Sequence, residues 1–77
     1  MRIHIYGKPS CSYCDAARTL LDSLSIEYIY IDISRSPDIR FQFKAQGHKT
    51  VPIVVIDDVT IGGYNELVSF ISNIRSA

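Results

Sequence analysis

The sequence predicts a small α/β protein in which a parallel strand–helix–strand unit precedes a helix, a β-hairpin and a last helix. Apolar and polar residues alternate over residues 3–6 and 27–33, as they do in strands. Between these stretches, apolar residues recur at helical spacing from residue 12 to about residue 24. A strand, a helix and a second strand within about thirty residues form a right-handed parallel crossover unit.

The second half of the chain begins with a helix start signal. Ser36, Pro37 and Asp38 supply a hydroxyl N-cap, a proline at the first helical position and an acid in the first turn. We expect this helix to end near Gly47, because glycine is common just after a helix. Two of its apolar side chains should face inward: Ile39 and Phe43.

A hairpin and a closing helix follow. Residues 53–56 form a continuous β-branched run, which predicts a strand covered on both faces. Asp57 and Asp58 are a two-residue turn, and residues 59–61 form the returning strand. A last helix opens at residue 64, and four of its residues should share one apolar face: Leu67, Phe70, Ile71 and Ile74.

Length and composition limit the classes of function. With 77 residues the chain is expected to be one domain, residues 1–77, and its 47% hydrophobic content is enough for one core. Eight basic and eight acidic residues cancel, so no basic field for nucleic acid is predicted. No secretory signal pattern or membrane-length apolar run is present, so we expect a cytoplasmic protein without a membrane partner.

Both cysteines lie where the first strand passes into the first helix. Cys11 and Cys14 are separated by two residues, and in a reducing compartment this spacing indicates a catalytic redox dithiol. Cys11 should lie over the unpaired N–H groups and the positive end of the helix dipole, and Lys8 adds a cation upstream. Cys14 follows one turn later and should be the more buried thiol.

Other interpretations of the two cysteines are weaker. A purely structural disulfide would close a very short loop, which constrains the unfolded chain little. A zinc site needs four ligands, and adding His4 and His48 to the cysteines matches no standard ligand spacing. A basic cluster near the end of the second helix has two interpretations, anion recognition or a solvated helix face: Arg40, Lys44, His48 and Lys49.

Three separated motifs together resemble a dithiol glutaredoxin. They are Lys8 with the Cys11-Ser12-Tyr13-Cys14 segment, then Thr50-Val51-Pro52, then Ile61-Gly62-Gly63. The resemblance covers the chain from residue 2 to the last helix. It implies a thioredoxin-like fold, with a four-stranded mixed sheet flanked by three helices in the order β-α-β-α-β-β-α. It also implies a cis Pro52 facing the dithiol and a Val51 backbone that pairs with a substrate peptide.

The resemblance further implies a glutathione site and a set of catalytic residues. The catalytic residues would be Cys11 and Cys14. The γ-glutamyl carboxylate would lie at the start of the last helix, where N–H groups favour anions. The glutathione-binding residues would be Lys8, Tyr13, Thr50, Val51, Pro52, Gly63, Tyr64 and Asn65.

Two residues depart from the common family pattern. Many members have proline at the position of Ser12, and members with serine or glycine there sometimes bridge a [2Fe–2S] cluster between two protomers through the first cysteine and glutathione. Tyr64 is bulkier than the residue usual in the family, and we expect it to narrow the γ-glutamyl pocket. A cluster would use Cys11, and no other metal ligand is expected.

The resulting prediction is a monomeric, glutathione-dependent thiol–disulfide oxidoreductase that reduces protein disulfides and protein–glutathione mixed disulfides. One alternative is a redoxin that is recharged by thioredoxin reductase and serves ribonucleotide reductase. The other is a dimeric carrier of a glutathione-ligated [2Fe–2S] cluster.

Overall fold

The computed structural model describes residues 1–76, and their element order matches the prediction. A short 3₁₀ turn, Ile33–Arg35, links the second strand to the second helix. The strands and helices are β1 (Ile3–Gly7), α1 (Ser12–Ser23), β2 (Ile29–Asp32), α2 (Pro37–Ala45), β3 (Ile53–Ile56), β4 (Val59–Gly62) and α3 (Tyr64–Ser76).

The four strands form one mixed sheet in the order β2-β1-β3-β4. Strand β1 pairs in parallel with β2 and antiparallel with β3, so Ile5 lies between Tyr30 on one side and Val54 on the other. Strand β4 pairs antiparallel with β3, with a register shift between Val54 and Val55. The predicted parallel pairing and the hairpin are therefore confirmed.

The main core lies between one face of the sheet and helices α1 and α3. Alternate residues of β1 and β3 enter it, because neighbouring strand residues point to opposite faces. Tyr6 points to the other face, where its ring meets Phe43 of α2 at a centroid distance of 4.9 Å. Helix α2 thus covers the second face. The core residues are Ile3, Ile5, Ala17, Leu21, Val54, Ile56, Leu67 and Ile71.

Helix α2 is attached more loosely than the other two. None of its residues is buried, and Ile39 and Phe43 are only half-buried. The Ser36 side chain makes no capping hydrogen bond. The helix ends at Ala45, close to Gly47 as predicted. The φ of +93° at Gly47 turns the chain so that the His48 N–H donates to the Phe43 carbonyl at 2.9 Å.

One prediction of burial was wrong in detail, because Ile74, in the last turns of α3, is 42% exposed. The strand predicted over residues 27–33 is shorter, and its first residue, Ile29, is 57% exposed. Instead, Tyr28 and Tyr30 pack against the core. No described helix has both the length and the apolar character needed to cross a membrane.

Candidate active site

The two cysteines are joined by a disulfide at the N-terminus of α1. Cys11 is the N-cap residue, with extended φ and ψ of −114° and 108°, and Cys14 lies in the first turn. Their Cα atoms are 5.2 Å apart, which is within the usual range for a disulfide. Cys11 is half-buried whereas Cys14 is fully buried, so the prediction that Cys14 is the less accessible sulfur is confirmed.

The Cys11 sulfur lies over the free N–H groups of α1. Its Sγ accepts a hydrogen bond from the Cys14 N–H at 3.2 Å. The preceding residue, Ser10, adopts a φ of 58°, and this turn directs the chain from the loop into the helix. A sulfur in this place receives both an N–H donor and the positive end of the helix dipole, and both favour a thiolate.

Cys14 is enclosed between α1 and β1. A Cβ added to Gly7 would lie 3.0 Å from the Cys14 Sγ and would overlap the Tyr30 hydroxyl, so a larger residue there would force the Tyr30 ring to shift. The Arg18 guanidinium lies 4.3 Å from the centre of the Tyr30 ring. Burial raises the pKa of Tyr30, although the nearby Arg18 opposes this effect. Cys14 therefore has a close-packed and largely water-free setting.

The loop before β3 approaches the dithiol from the other side. The peptide bond between Val51 and Pro52 is cis, as the resemblance implied. The Cys11 Sγ lies 3.8 Å from the Val51 carbonyl oxygen. Val51 and the accessible sulfur thus lie side by side, and a peptide that reached Cys11 would meet the Val51 backbone.

A groove of about 260 Å³ extends from Val51 to the N-terminus of α3. The Tyr13 and Tyr64 rings meet across it at a centroid distance of 5.7 Å. Seven of the eight residues predicted to bind glutathione line this groove, and only Lys8 does not: Tyr13, Thr50, Val51, Pro52, Gly63, Tyr64 and Asn65.

Glu66 also lines this groove, and sequence reasoning missed it. Its Oε1 accepts the Gly63 N–H at 2.7 Å, so a carboxylate already caps the start of α3. The spacing of a glycine N-cap followed three residues later by glutamate is the signal that could have revealed it. The groove therefore contains a negative charge beside the N–H groups that would receive an anion.

A second groove, of about 220 Å³, lies on the opposite side of Val51. Thr50 and Val51 line both grooves, whereas Lys8 lines only this one. Its apolar floor is formed by Ile33, Phe43 and Ile53. The structure brings Lys8 together here with the basic residues from the end of α2: Arg40, Lys44, His48 and Lys49.

A third groove, of about 710 Å³, is lined by residues 1–4 and by residues between Asp22 and Ile29. It is larger than the two grooves beside Val51, but neither cysteine lines it. Within residues 1–76, no three His, Cys, Asp or Glu side chains are close enough together to hold a metal ion.

Comparison with known proteins gives a consistent result. The family model described as Glutaredoxin matches residues 3–61. The chain is 38% identical over 68 residues to Glutaredoxin 1 of Rickettsia felis, covering 84% of this chain and 67% of that protein. It is 28% identical over 64 residues to the glutaredoxin-like protein NrdH of Escherichia coli strain K12, covering 83% of this chain and 79% of that protein.

Solved structures of the same kind superpose closely on this chain. The NrdH-redoxin of Escherichia coli, described as having a thioredoxin-like activity profile, has a TM-score of 0.82 and 26% identity, over 96% of this chain and 95% of its own. A buckwheat glutaredoxin–glutathione complex has a TM-score of 0.79 and 25% identity, over 95% of this chain and 70% of its own. These similarities extend over nearly the whole described fold.

Proposed function

Since this chain belongs to the glutaredoxin family, we propose that it is a glutathione-dependent thiol–disulfide oxidoreductase with Cys11 as the nucleophile. The observation that carries this proposal is the position of the Cys11 sulfur. It accepts the Cys14 N–H, lies at the positive end of α1 and is 3.8 Å from the Val51 carbonyl. The half-buried Cys11 is open to a partner, and the buried Cys14 is not.

The proposed reaction transfers two electrons to the substrate. The Cys11 thiolate attacks one sulfur of a substrate disulfide, which forms a mixed disulfide and releases the other substrate sulfur as a thiolate. The Cys14 thiolate then attacks the Cys11 sulfur and releases the second substrate thiolate. The two released thiolates take protons from solvent, and the enzyme is left with the Cys11–Cys14 disulfide.

Two glutathione molecules would return the enzyme to its dithiol form. The first attacks the Cys11 sulfur of the disulfide and releases the Cys14 thiolate. The second attacks the glutathione sulfur of the resulting mixed disulfide, which forms oxidised glutathione and releases the Cys11 thiolate. A protein–glutathione mixed disulfide would be reduced by the same chemistry, with Cys11 taking the glutathionyl group. We place this cycle in a reducing compartment, the cytoplasm, with the protein acting as a monomer.

The two grooves beside Val51 support glutathione as the reductant. The γ-glutamyl group would lie in the groove toward α3, near the backbone of Gly63, Tyr64 and Asn65. The glycyl carboxylate would lie in the basic groove that contains Lys8. A structural neighbour of this chain, the buckwheat glutaredoxin, is solved as a complex with glutathione.

A coupled assay tests this proposal directly. The protein is given a small glutathione mixed disulfide, reduced glutathione, glutathione reductase and NADPH, and NADPH oxidation is followed. We expect turnover that depends on both the protein and glutathione. An enzyme that cannot be reduced by glutathione, but is reduced by thioredoxin reductase, would contradict the glutathione proposal and leave the dithiol chemistry intact.

One observation favours the alternative in which thioredoxin reductase recharges the dithiol. The Glu66 carboxylate already occupies the Gly63 N–H and carries a charge that repels an incoming γ-glutamyl carboxylate. A structural neighbour of this chain, the Escherichia coli NrdH-redoxin, is described as having a thioredoxin-like activity profile. In this alternative, ribonucleotide reductase is the predicted protein substrate.

The [2Fe–2S] alternative depends on the same cysteine. Cys14 is fully buried, so among the cysteines only Cys11 could reach a cluster shared with a second protomer. The other ligand of each protomer would be the thiol of a bound glutathione. Purification without oxygen tests it, because a brown dimer would support this alternative and a colourless monomer would contradict it.

A further inference from the structure

The groove that contains Lys8 is lined by several basic side chains and by no acidic side chain. Five basic side chains line it, from the loop before Cys11, from α2 and from the loop after α2, and no aspartate or glutamate lines it. Within residues 1–76 the ion pair found joins Arg2 to Asp58, so none of these five side chains is paired with a carboxylate. The basic residues are Lys8, Arg40, Lys44, His48 and Lys49.

This charge exceeds what glutathione requires. Glutathione brings one carboxylate to this side of Val51, whereas four side chains in the groove carry a permanent positive charge and His48 adds a fifth basic group. The whole chain has a formal charge of zero, so this concentration is local. Like charges gathered around one groove repel one another, and several negative charges on a ligand would relieve that repulsion.

From this we propose that the basic groove selects protein disulfides whose reacting cysteine is followed in sequence by acidic residues. The inference rests on the proposed function, because the direction of the peptide is taken from glutathione. Glutathione with its cysteine at Cys11 and its γ-glutamyl group toward α3 places the residue after its cysteine in the basic groove. A substrate peptide that binds in the same direction places the residues after its cysteine there too. Thr50 and Val51 line both grooves, so an extended peptide passes from one to the other.

The groove toward α3 adds to the preference for acidic residues after the substrate cysteine. Glu66 lies there with its carboxylate on the Gly63 N–H, so acidic residues before the substrate cysteine would meet a like charge. Acidic residues after the cysteine would meet Arg40 and Lys44 instead. The two grooves therefore discriminate between peptides of the same composition by the side on which their acidic residues lie.

Single-turnover kinetics with peptides of matched composition test this inference. Each capped peptide carries one cysteine as a mixed disulfide with thionitrobenzoate, whose release is coloured, and is mixed with the reduced protein. One has two glutamates after the cysteine, one has them before it, and one has neither. We expect the first to react about fivefold faster than the second, the size given by two exposed ion pairs.

Salt and charge variants supply the controls. The preference should disappear between about 0.02 M and about 0.5 M salt, because screening weakens exposed charge interactions. The double variant Arg40→Gln with Lys44→Gln should lose the preference, so that the two glutamate-containing peptides react with it at equal rates. The matched variant Arg35→Gln with Arg75→Gln loses the same charge outside the groove and should keep the preference.

Two outcomes would overturn the inference. Equal rates for the three peptides would mean that the basic groove does not select peptides by their acidic residues. Faster reaction of the peptide with glutamates before its cysteine would mean that the assigned direction is wrong. Because the protein is reduced beforehand and no glutathione is present, either result leaves the proposed glutathione cycle to be judged by the coupled assay.

Discussion

The Cys11 Sγ accepts the Cys14 N–H at 3.2 Å, so in the reduced protein the backbone of the second cysteine can stabilise a thiolate at the first. The sulfur of Cys14 has no comparable position, since it is fully buried against Gly7. The two sulfurs of one short motif therefore have different environments, one suited to attack and the other to intramolecular resolution.

Replacement of each cysteine in turn should separate these two roles. Cys11→Ser should abolish all turnover, because no other described thiol can reach a substrate. Cys14→Ser should retain reduction of glutathione mixed disulfides, since glutathione can resolve the intermediate, and should lose reduction of protein disulfides. Steady-state rates with both substrate classes measure the difference, and thermal unfolding checks that each variant is folded. Equal loss in both variants would contradict the assigned roles.

Removing the charge of Glu66 should improve glutathione binding. Glu66→Gln keeps an oxygen that can accept the Gly63 N–H, and it removes a charge that repels the γ-glutamyl carboxylate. We expect KM for a glutathione mixed disulfide to fall about threefold, with unfolding free energy changed by less than about 1 kcal/mol. Glu27→Gln, remote from the site, is the matched control. A rise in KM would mean that Glu66 attracts glutathione instead.

The close packing around Gly7 predicts that a second substitution will restore part of the stability lost in Gly7→Ala. Gly7→Ala should destabilise the protein by about 1–3 kcal/mol, because the new Cβ lies 3.0 Å from the Cys14 Sγ and overlaps the Tyr30 hydroxyl. Adding Tyr30→Phe removes that hydroxyl and should restore part of the loss. A double-mutant cycle by denaturant unfolding measures the coupling between the two positions. Purely additive effects would show that the two groups do not compete for space.

The stability of the β2 end should depend on pH through Asp32. Hydrogen bonds from the Ser34 hydroxyl and the Ser34 N–H, at 2.6 and 2.9 Å, lower the pKa of Asp32 from 3.8. A carboxyl with a lowered folded-state pKa stabilises the fold above its unfolded pKa and loses this contribution as pH falls through the folded pKa. The stability advantage of the natural chain over Asp32→Asn should therefore shrink from pH 6 toward about pH 2.5. A constant difference across this range, measured by urea unfolding, would argue against it.

The hairpin turn offers a stabilising substitution. Asp57 and Asp58 both have positive φ, 49° and 68°, a conformation that favours glycine. Asp58→Gly should raise the unfolding free energy by about 0.5–1 kcal/mol. The Arg2–Asp58 ion pair that it removes is largely exposed and contributes little. Asp57→Gly is the contrast, because Asp57 Oδ1 accepts the Arg2 N–H at 2.7 Å, so this change should gain less or lose stability.

Local signals in the sequence were sufficient for the element order, the dithiol and the hairpin. Alternation, capping residues and the cysteine spacing depend on neighbours within a few residues, and the structure agrees with them. The cis bond before Pro52 came from the family resemblance, because nothing in the residues alone distinguishes the two isomers.

Features that depend on tertiary contacts could not be predicted in this way. The alternation around β2 places the isoleucines on one face of the strand and Tyr28 and Tyr30 on the other, but it does not show which face is toward the core. In the structure the two tyrosines pack against the core. Lys8 joins Arg40 and Lys44 in one groove only because α2 packs across the face of the sheet that carries Tyr6. The spacing between Gly63 and Glu66 could have predicted the cap at the start of α3. That Glu66 lines the same groove as Val51 could be learned only from the folded structure.

The pKa of the Cys11 thiol in the reduced protein is the most direct test of the account. It is measured in the Cys14→Ser variant as the pH dependence of alkylation by iodoacetamide. We predict a midpoint clearly below that of free cysteine, because the N–H groups and dipole of α1 favour the thiolate. A midpoint near 8.5, about that of free cysteine, would contradict the central claim that this helix activates Cys11.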